Sequence, residues 1–435
     1  MAIGRWMRHR TTAAVAVAAV TVLVAACGGG SSGKKQADAN AKVTLQFSQW
    51  WAAELPKGVL EGMVSTFEKQ NPNITIKLVT NPYQNTHDST IAQAATHNTS
   101  DIVAMDGTWY SDLQNQGALA NMTDLMKAAK YDDSSLAGEL KTDGSVYMIP
   151  AVNFVYPMFV NLDLLKKAGI TTIPKTQTEF KAAADAVSKK TSAKGFTLAL
   201  STQTPNGVAN DVMAWVWASG GSMLKDGKPE INNAGVAQGL NFVNSLYKSG
   251  DVLPGSLNAQ ETQKPNAFAQ GQVAMMFDSL AHVTTIKQAN PKLNFTIAPV
   301  PVKDGYTGKS TINSAAWALG ISKDSKYQAQ AWKFVQFLMS PTVDAQLANA
   351  ANGFAGNKAA KQDLSKSDPL ISKAATIYAA SNPLNEFAAG LPVSLQLESD
   401  FDGQLQRFLT GKQDATTTLK NTQSAWDKHI KAATK

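Results

Sequence analysis

The sequence predicts an α/β fold, and three observations carry that prediction. Segments of period two and of helical period alternate from the first structured residues; the early strands are short and apolar; and no period of 20 to 50 residues recurs, which excludes a solenoid or propeller. The first strand is 43–49, VTLQFSQ, apolar at every second position. Trp50 and Trp51 follow it, and a helical stretch runs on to Phe67 until Asn71-Pro72 stops it. A second strand is expected at 74–79, a helix at 89–96, and a third strand at 102–105 after Asp101. That β-α-β-α-β order signals a parallel layer. Further on come helices at 175–188, 210–219, 234–249 and 325–339, strands at 196–200, 273–277 and 318–322, and two C-terminal helices broken near Gly411.

Before the first strand, Arg5, Arg8 and Arg10 precede fourteen uncharged residues, Ala13 to Ala26, the layout of a secretory signal too short to span a bilayer. The run ends Val24-Ala25-Ala26-Cys27, which resembles the lipobox at which bacterial lipoproteins are cleaved and lipidated. Cys27 is the chain's only cysteine, so its lipidation leaves no thiol for a disulfide, metal site or nucleophile. Residues 28–41, GGGSSGKKQADANA, form a polar tether with a reach of about 20 Å. The phosphate-loop spacing from Gly28 to Lys34 has Lys35 in place of Ser or Thr and no preceding strand, so it is compositional.

Charge narrows the ligand. Removing 26 residues and three of the 40 basic groups from 435 residues leaves 409, with 37 basic against 33 acidic groups, net +4. That is too mild to imply nucleic acid. Arg407 is the one arginine left, and phosphates and carboxylates are commonly gripped by the arginine fork. An uncharged solute is therefore expected, with a cationic one permitted where carboxylates and aromatic rings meet.

Catalytic signatures are scarce. His-Glu-x-x-His and Gly-x-Ser-x-Gly are absent, and Ser245-x-x-Lys248 lacks the companion motifs of penicillin-binding enzymes. Asp106 and Glu398 could form a glycosidase pair, but single carboxylates equally accept sugar hydroxyls, and that binding role is the favoured one. Tryptophan placement is more informative. Trp50, Trp51, Trp109, Trp215, Trp217 and Trp317 fall at helix starts, loops or strand ends, where open α/β sheets bind ligands. Flat rings beside short polar side chains suit the apolar faces and hydroxylated edges of a sugar. Trp215 and Trp217 cannot share a helix face, so one of them is expected in the core, as are Trp332 and Trp426.

Five ordered strings, FEKQNPNITIKLV (67–79), DIVAMDGTWYSDLQNQGALANMTDL (101–125), IPAVNFVYPMFVNLDLLKKAGI (149–170), FAQGQVAMMFDS (268–279) and AWKFVQFLMSP (331–341), resemble the family 1 extracellular solute-binding proteins of ABC sugar importers. The resemblance implies a two-lobe periplasmic-binding-protein-like fold with a hinged cleft, lobe I from 42–154 plus 316–366 and lobe II from 155–315 plus 367–435, crossing near 154, 315 and 366. It implies ligand contacts at Trp50, Trp51, Glu54, Asp106, Thr108, Trp109, Phe154, Tyr156, Asn210, Asp211, Trp215, Asp278, Ser279, Trp317 and Glu398. Ala315 and Ala316 replace a common Gly-Gly pair, and Ala281 and Glu398 stand where maltodextrin binders carry aromatics. The expected function is capture of a neutral di- or oligosaccharide by a monomeric, lipid-anchored protein at the extracellular face of a bacterial membrane. Delivery goes to two permease subunits with a cytoplasmic ATPase, with no cofactor, no metal and no reaction on this chain. The alternatives are an amino-sugar, phosphorylated or zwitterionic solute, or a secreted glycosidase.

Overall fold

In the computed structural model, which describes residues 41–364, 368–388 and 391–433, the alternation over Val43–Gln49 becomes strand β1, its odd positions buried. The signal, the Cys27 lipobox, the tether up to residue 40 and the crossing near 366 lie outside these residues. Strands β2 (Ile74–Thr80) and β3 (Ile102–Asp106) flank β1, both parallel to it. The expected helix after Trp51 is two helices, Trp51–Glu54 and Val59–Gln70. Pro56 and Gly58 lie between them, and Gly58 has φ 88°, a left-handed conformation that glycine adopts without strain. The longer helix buries Leu60, Met63, Val64 and Phe67, one stripe at helical spacing, against the sheet.

A short strand β4 (Leu140–Thr142) turns into β5 (Ser145–Val155), and the chain then enters β6 (Met158–Asn161) in a different sheet. A two-residue hairpin, β7 (Leu224–Lys225) and β8 (Lys228–Pro229), precedes β9 (Met275–Phe277) and β10 (Phe295–Ala298), which pair with β6 on either side. β11 (Thr311–Ile321) returns to the larger sheet, between β3 and β5 and antiparallel to both. β12 (Phe354–Ala355) caps the far edge beside β5, and β13 (Asn382–Leu384) pairs with the start of β11. The expected strand at 318–322 is thus the last third of a long strand that carries the chain between sheets.

The three-stranded sheet is covered on both faces. Phe159, Met276 and Ile297 join the core that lies under the larger sheet, while Met158, Val160, Met275, Phe277 and Ala298 join a second core with the helices Gln177–Lys190 and Ala234–Lys248. Thr176 and Glu179 close a capping box at the first of these helices. The expected strand at 196–200 makes single bridges only, Phe196 with Val252 and Lys194 with Val273. Side chains replace the ladder there: Ser256 Oγ accepts from Leu198 N, and an Asp211 carboxylate oxygen accepts from Ala199 N.

Trp332 sits in the helix Gln328–Leu338, 2% exposed, with Tyr131 edge-on at 5.3 Å. Trp426 is fully buried and donates Nε1 to Leu397 O. Trp332→Ala is expected to lower unfolding free energy by about 3–5 kcal/mol in urea titrations, through lost burial and the cavity left behind.

Candidate functional site

Strand ends of the larger sheet deliver the first half of the site. Trp50 follows β1, Asp106 ends β3, Phe154 and Tyr156 lie at the end of β5, and Trp317 sits mid-β11, opposite Asp106 in register. These residues, with Glu54, Tyr83, Ala315 and Ala316, face Thr204, Asn206, Glu261, Ser279 and His282 across a cavity of about 50 Å³. The smaller sheet's side of the molecule supplies that second group. A wider recess of about 450 Å³ continues outward past Tyr83, Trp109, Asn206 and Gln396.

The rings form a connected box. Trp50 meets Tyr83 edge-on at 5.2 Å and Trp109 at 5.1 Å, and Phe154 meets Trp317 at 5.2 Å. Trp51 stacks on Trp317 at 5.2 Å and 10° but is fully buried, so it backs the wall. Trp109 faces the wider recess.

Asp106 is held by its own turn. Its Oδ1 accepts from Thr108 N at 3.0 Å and Thr108 Oγ1 at 2.9 Å, so Thr108 serves the carboxylate and lies behind the cavity wall. Tyr83 OH donates to Asp106 Oδ2 at 3.3 Å and accepts from Asn206 Nδ2 at 2.8 Å, linking the two sides of the cleft. Asn206 is seated by Gly207, where a Cβ would collide with the Ala199 backbone.

Burial pushes the Glu54 carboxyl up to about 7, eased by His282 and reinforced by Asp278 and Asp106. Burial also lifts Glu261 to about 7 against the pull of Lys264. Burial opposes the charge on His282, but the Asp278 carboxylate, 2.8 Å from Nδ1, outweighs it and holds the imidazole up to about 9. Lys264, buried and 2.8 Å from Asp211 Oδ1, stays charged beside the neighbouring carboxylates and donates to Phe277 O.

Several expected contacts stand elsewhere. Asp211 is fully buried in its ion pair with Lys264, and Trp215 packs among Phe180, Phe196, Phe242 and Phe277. Trp217, the other candidate on that helix, donates Nε1 to the buried Glu386, so both rings are core. The segment expected as one helix over 210–219 opens with a π turn, Val208–Met213, followed by Ala214–Trp217. Asn210 lies one layer back, donating to Glu261 Oε1 at 2.8 Å and accepting from Asn313 at 2.6 Å. Asp278 is fully buried behind His282, while Ser279 reaches the cavity. Glu398 is 1% exposed on the helix Ser394–Leu409, its Oε2 without a hydrogen bond, and burial pushes its carboxyl well up. Sequence reasoning missed Tyr83, Asn206, Glu261 and His282; only Pro82, placing Tyr83 at a helix start, left a local trace.

The chain matches the bacterial extracellular solute-binding protein family over residues 46–345. It belongs to that family. Among relatives of this solute-binding protein is the maltooligosaccharide ABC transporter solute-binding lipoprotein of Streptococcus pneumoniae, 25% identical, aligned over 84% of this chain and 86% of that one. Its fold is that of the GacH receptor of Streptomyces glaucescens, solved with acarbose (TM-score 0.74, 20% identity, 89% and 98% of the two chains). UgpB of Mycobacterium tuberculosis, solved with glycerophosphocholine, is similarly close (TM-score 0.77, 17% identity, 90% and 100%). The chain shares the two-lobe fold of these neighbours.

One turn beyond Glu398, Asp402 is fully buried with neither carboxylate oxygen hydrogen-bonded, and burial raises it from 3.8 to about 8. A carboxyl raised on folding contributes stability fully below its unfolded value and loses it as pH rises through the folded one. Thermal melts should therefore show the wild type losing stability between pH 4 and 8 relative to Asp402→Asn, the two converging at the acid end.

Proposed function

We propose that this solute-binding protein captures an extracellular di- or oligosaccharide without negative charge between its lobes. It hands the sugar to a membrane permease pair driven by a cytoplasmic ATPase. The observation that carries the reading is the box of Trp50, Tyr83, Phe154 and Trp317 opening onto the carboxylates of Glu54, Asp106 and Glu261. Rings cover apolar sugar faces, and buried carboxylates accept hydroxyl hydrogen bonds that analogues lacking the hydroxyl leave unmade. Arg407 is exposed on the helix Ser394–Leu409 and lines neither the cavity nor the recess, which leaves an anion without an arginine fork. The maltooligosaccharide-binding relative supports the same class of ligand.

In this reading the lobes are 42–154 plus 316–366 and 155–315 plus 367–435, and the ligand closes them by touching both. The signal at 1–26 is removed, Cys27 is lipidated, and the protein works as a monomer tethered outside the cell membrane, turning nothing over. Purified protein given labelled oligosaccharides should retain them stoichiometrically; turnover would make it a glycosidase instead.

A thermal-shift screen over a sugar library is the identifying experiment, since a ligand at 100 times its Kd adds about 2.7 kcal/mol of stability. With the hit in hand, Trp50→Ala should weaken binding about tenfold, the loss of one ring contact worth about 1.4 kcal/mol. Calorimetry on Trp215→Ala should show a less stable protein, its aromatic core opened, with affinity within a few-fold of wild type.

A further inference from the structure

Five carboxylates, Glu54, Asp106, Asp211, Glu261 and Asp278, surround the cavity or stand directly behind it, against two cations, Lys264 and His282. Both cations already have a carboxylate partner at 2.8 Å: Asp211 for Lys264 and Asp278 for His282. The carboxylates that line the cavity itself, Glu54, Asp106 and Glu261, form no ion pair among the described residues. They share that wall with the faces and edges of Trp50, Tyr83, Phe154 and Trp317. Neutral hydroxyls satisfy a carboxylate's lone pairs but do not offset the burial and the repulsion from neighbouring carboxylates that push Glu54 and Glu261 up to about 7. An ammonium group removes that repulsion and is attracted to the ring faces as well.

We infer that the captured solute carries a positive charge, an ammonium group seated in the aromatic box against Glu54 and Glu261. The inference rests on the cleft being the binding site and narrows the solute to a basic amino sugar or a choline-type compound. The two sources share one chemistry and differ in what surrounds the nitrogen. Glu261 is the fixed member, positioned by Asn210, which Asn313 holds in turn. Glu54, on the four-residue helix Trp51–Glu54, accepts no hydrogen bond among the described residues and is the carboxylate left to meet a guest.

The test is calorimetric titration with four probes: the disaccharide of glucosamine at a pH where its amines are protonated, its N,N′-diacetyl counterpart, choline, and maltose. The glucosamine disaccharide should bind at least tenfold more tightly than the acetylated one. That margin should collapse to less than threefold in Glu54→Gln, whose melting curve reports whether it is folded, and recover in part in Glu54→Asp. Choline binding with the same Glu54 dependence supports the inference and assigns the ammonium to a quaternary amine. A neutral sugar binding more tightly than both ammonium probes overturns the inference and leaves the carbohydrate reading standing. Choline binding with no response to any sugar has the opposite meaning, keeping the positive charge and removing the carbohydrate. No response to either ammonium probe overturns the inference.

Discussion

The pairing of two long strands, β5 and β11, is the constraint on which the site depends. They run antiparallel, with Phe154 opposite Ala315, Asn153 opposite Ala316 and Val152 opposite Trp317, and a bulge follows at Trp317/Ala318. That register alone brings Phe154, Ala315, Ala316 and Trp317 to one wall, while β3 on the other side of β11 sets Asp106 against Trp317. Both strands lead out of the larger sheet at the same end, β5 into β6 and β11 back from β10, and Tyr156 N donates to Asn313 O at 3.0 Å where they part. Side chains at 315 and 316 must be small, because anything larger than alanine would occupy the cavity.

Around that wall, buried charge fixes position more than it adds stability. Taking Lys264 and Asp211 out of water costs several kcal/mol per ion, and their attraction does little more than offset it, yet breaking the pair by removing one partner costs about 3–5 kcal/mol. The pair anchors the π turn carrying Asn210 and Asp211 to the helix that follows Glu261, and so holds Glu261 toward the cavity. His282 and Asp278 do the same for the turn after β9. The polar link from Asn206 through Tyr83 to Asp106 bridges the cavity in the same way.

Local pattern made the larger sheet legible: the alternation of 43–49, the break at Pro72 and the position of Asp106 after an apolar strand each depend on neighbours in sequence. The residues those strands present, Trp50, Asp106 and Trp317, line the cavity for the same reason. What sequence could not carry is pairing at a distance. Asp211 looks like a free acceptor until Lys264, 53 positions on, is seen beside it. Trp215 and Trp217 look like opposite faces of one helix until two different buried surroundings, an aromatic cluster and Glu386, enclose both. Tyr83, Asn206, Glu261 and His282 belong to no motif, and only the folding together of four separate segments makes them neighbours.

In the proposed mode of action, a solute bound between Trp50 and Trp317 on one side and Asn206 and Glu261 on the other holds the two lobes together. Distance measurement between spin labels at Asp88 and Gln203, exposed residues that face each other across the outer recess, tests it most directly in a protein with Cys27 replaced by serine. Without solute the distribution should be longer or broader, and it should narrow to one short distance on saturation. A distribution unchanged by a solute that calorimetry shows to be bound would contradict that mode of action.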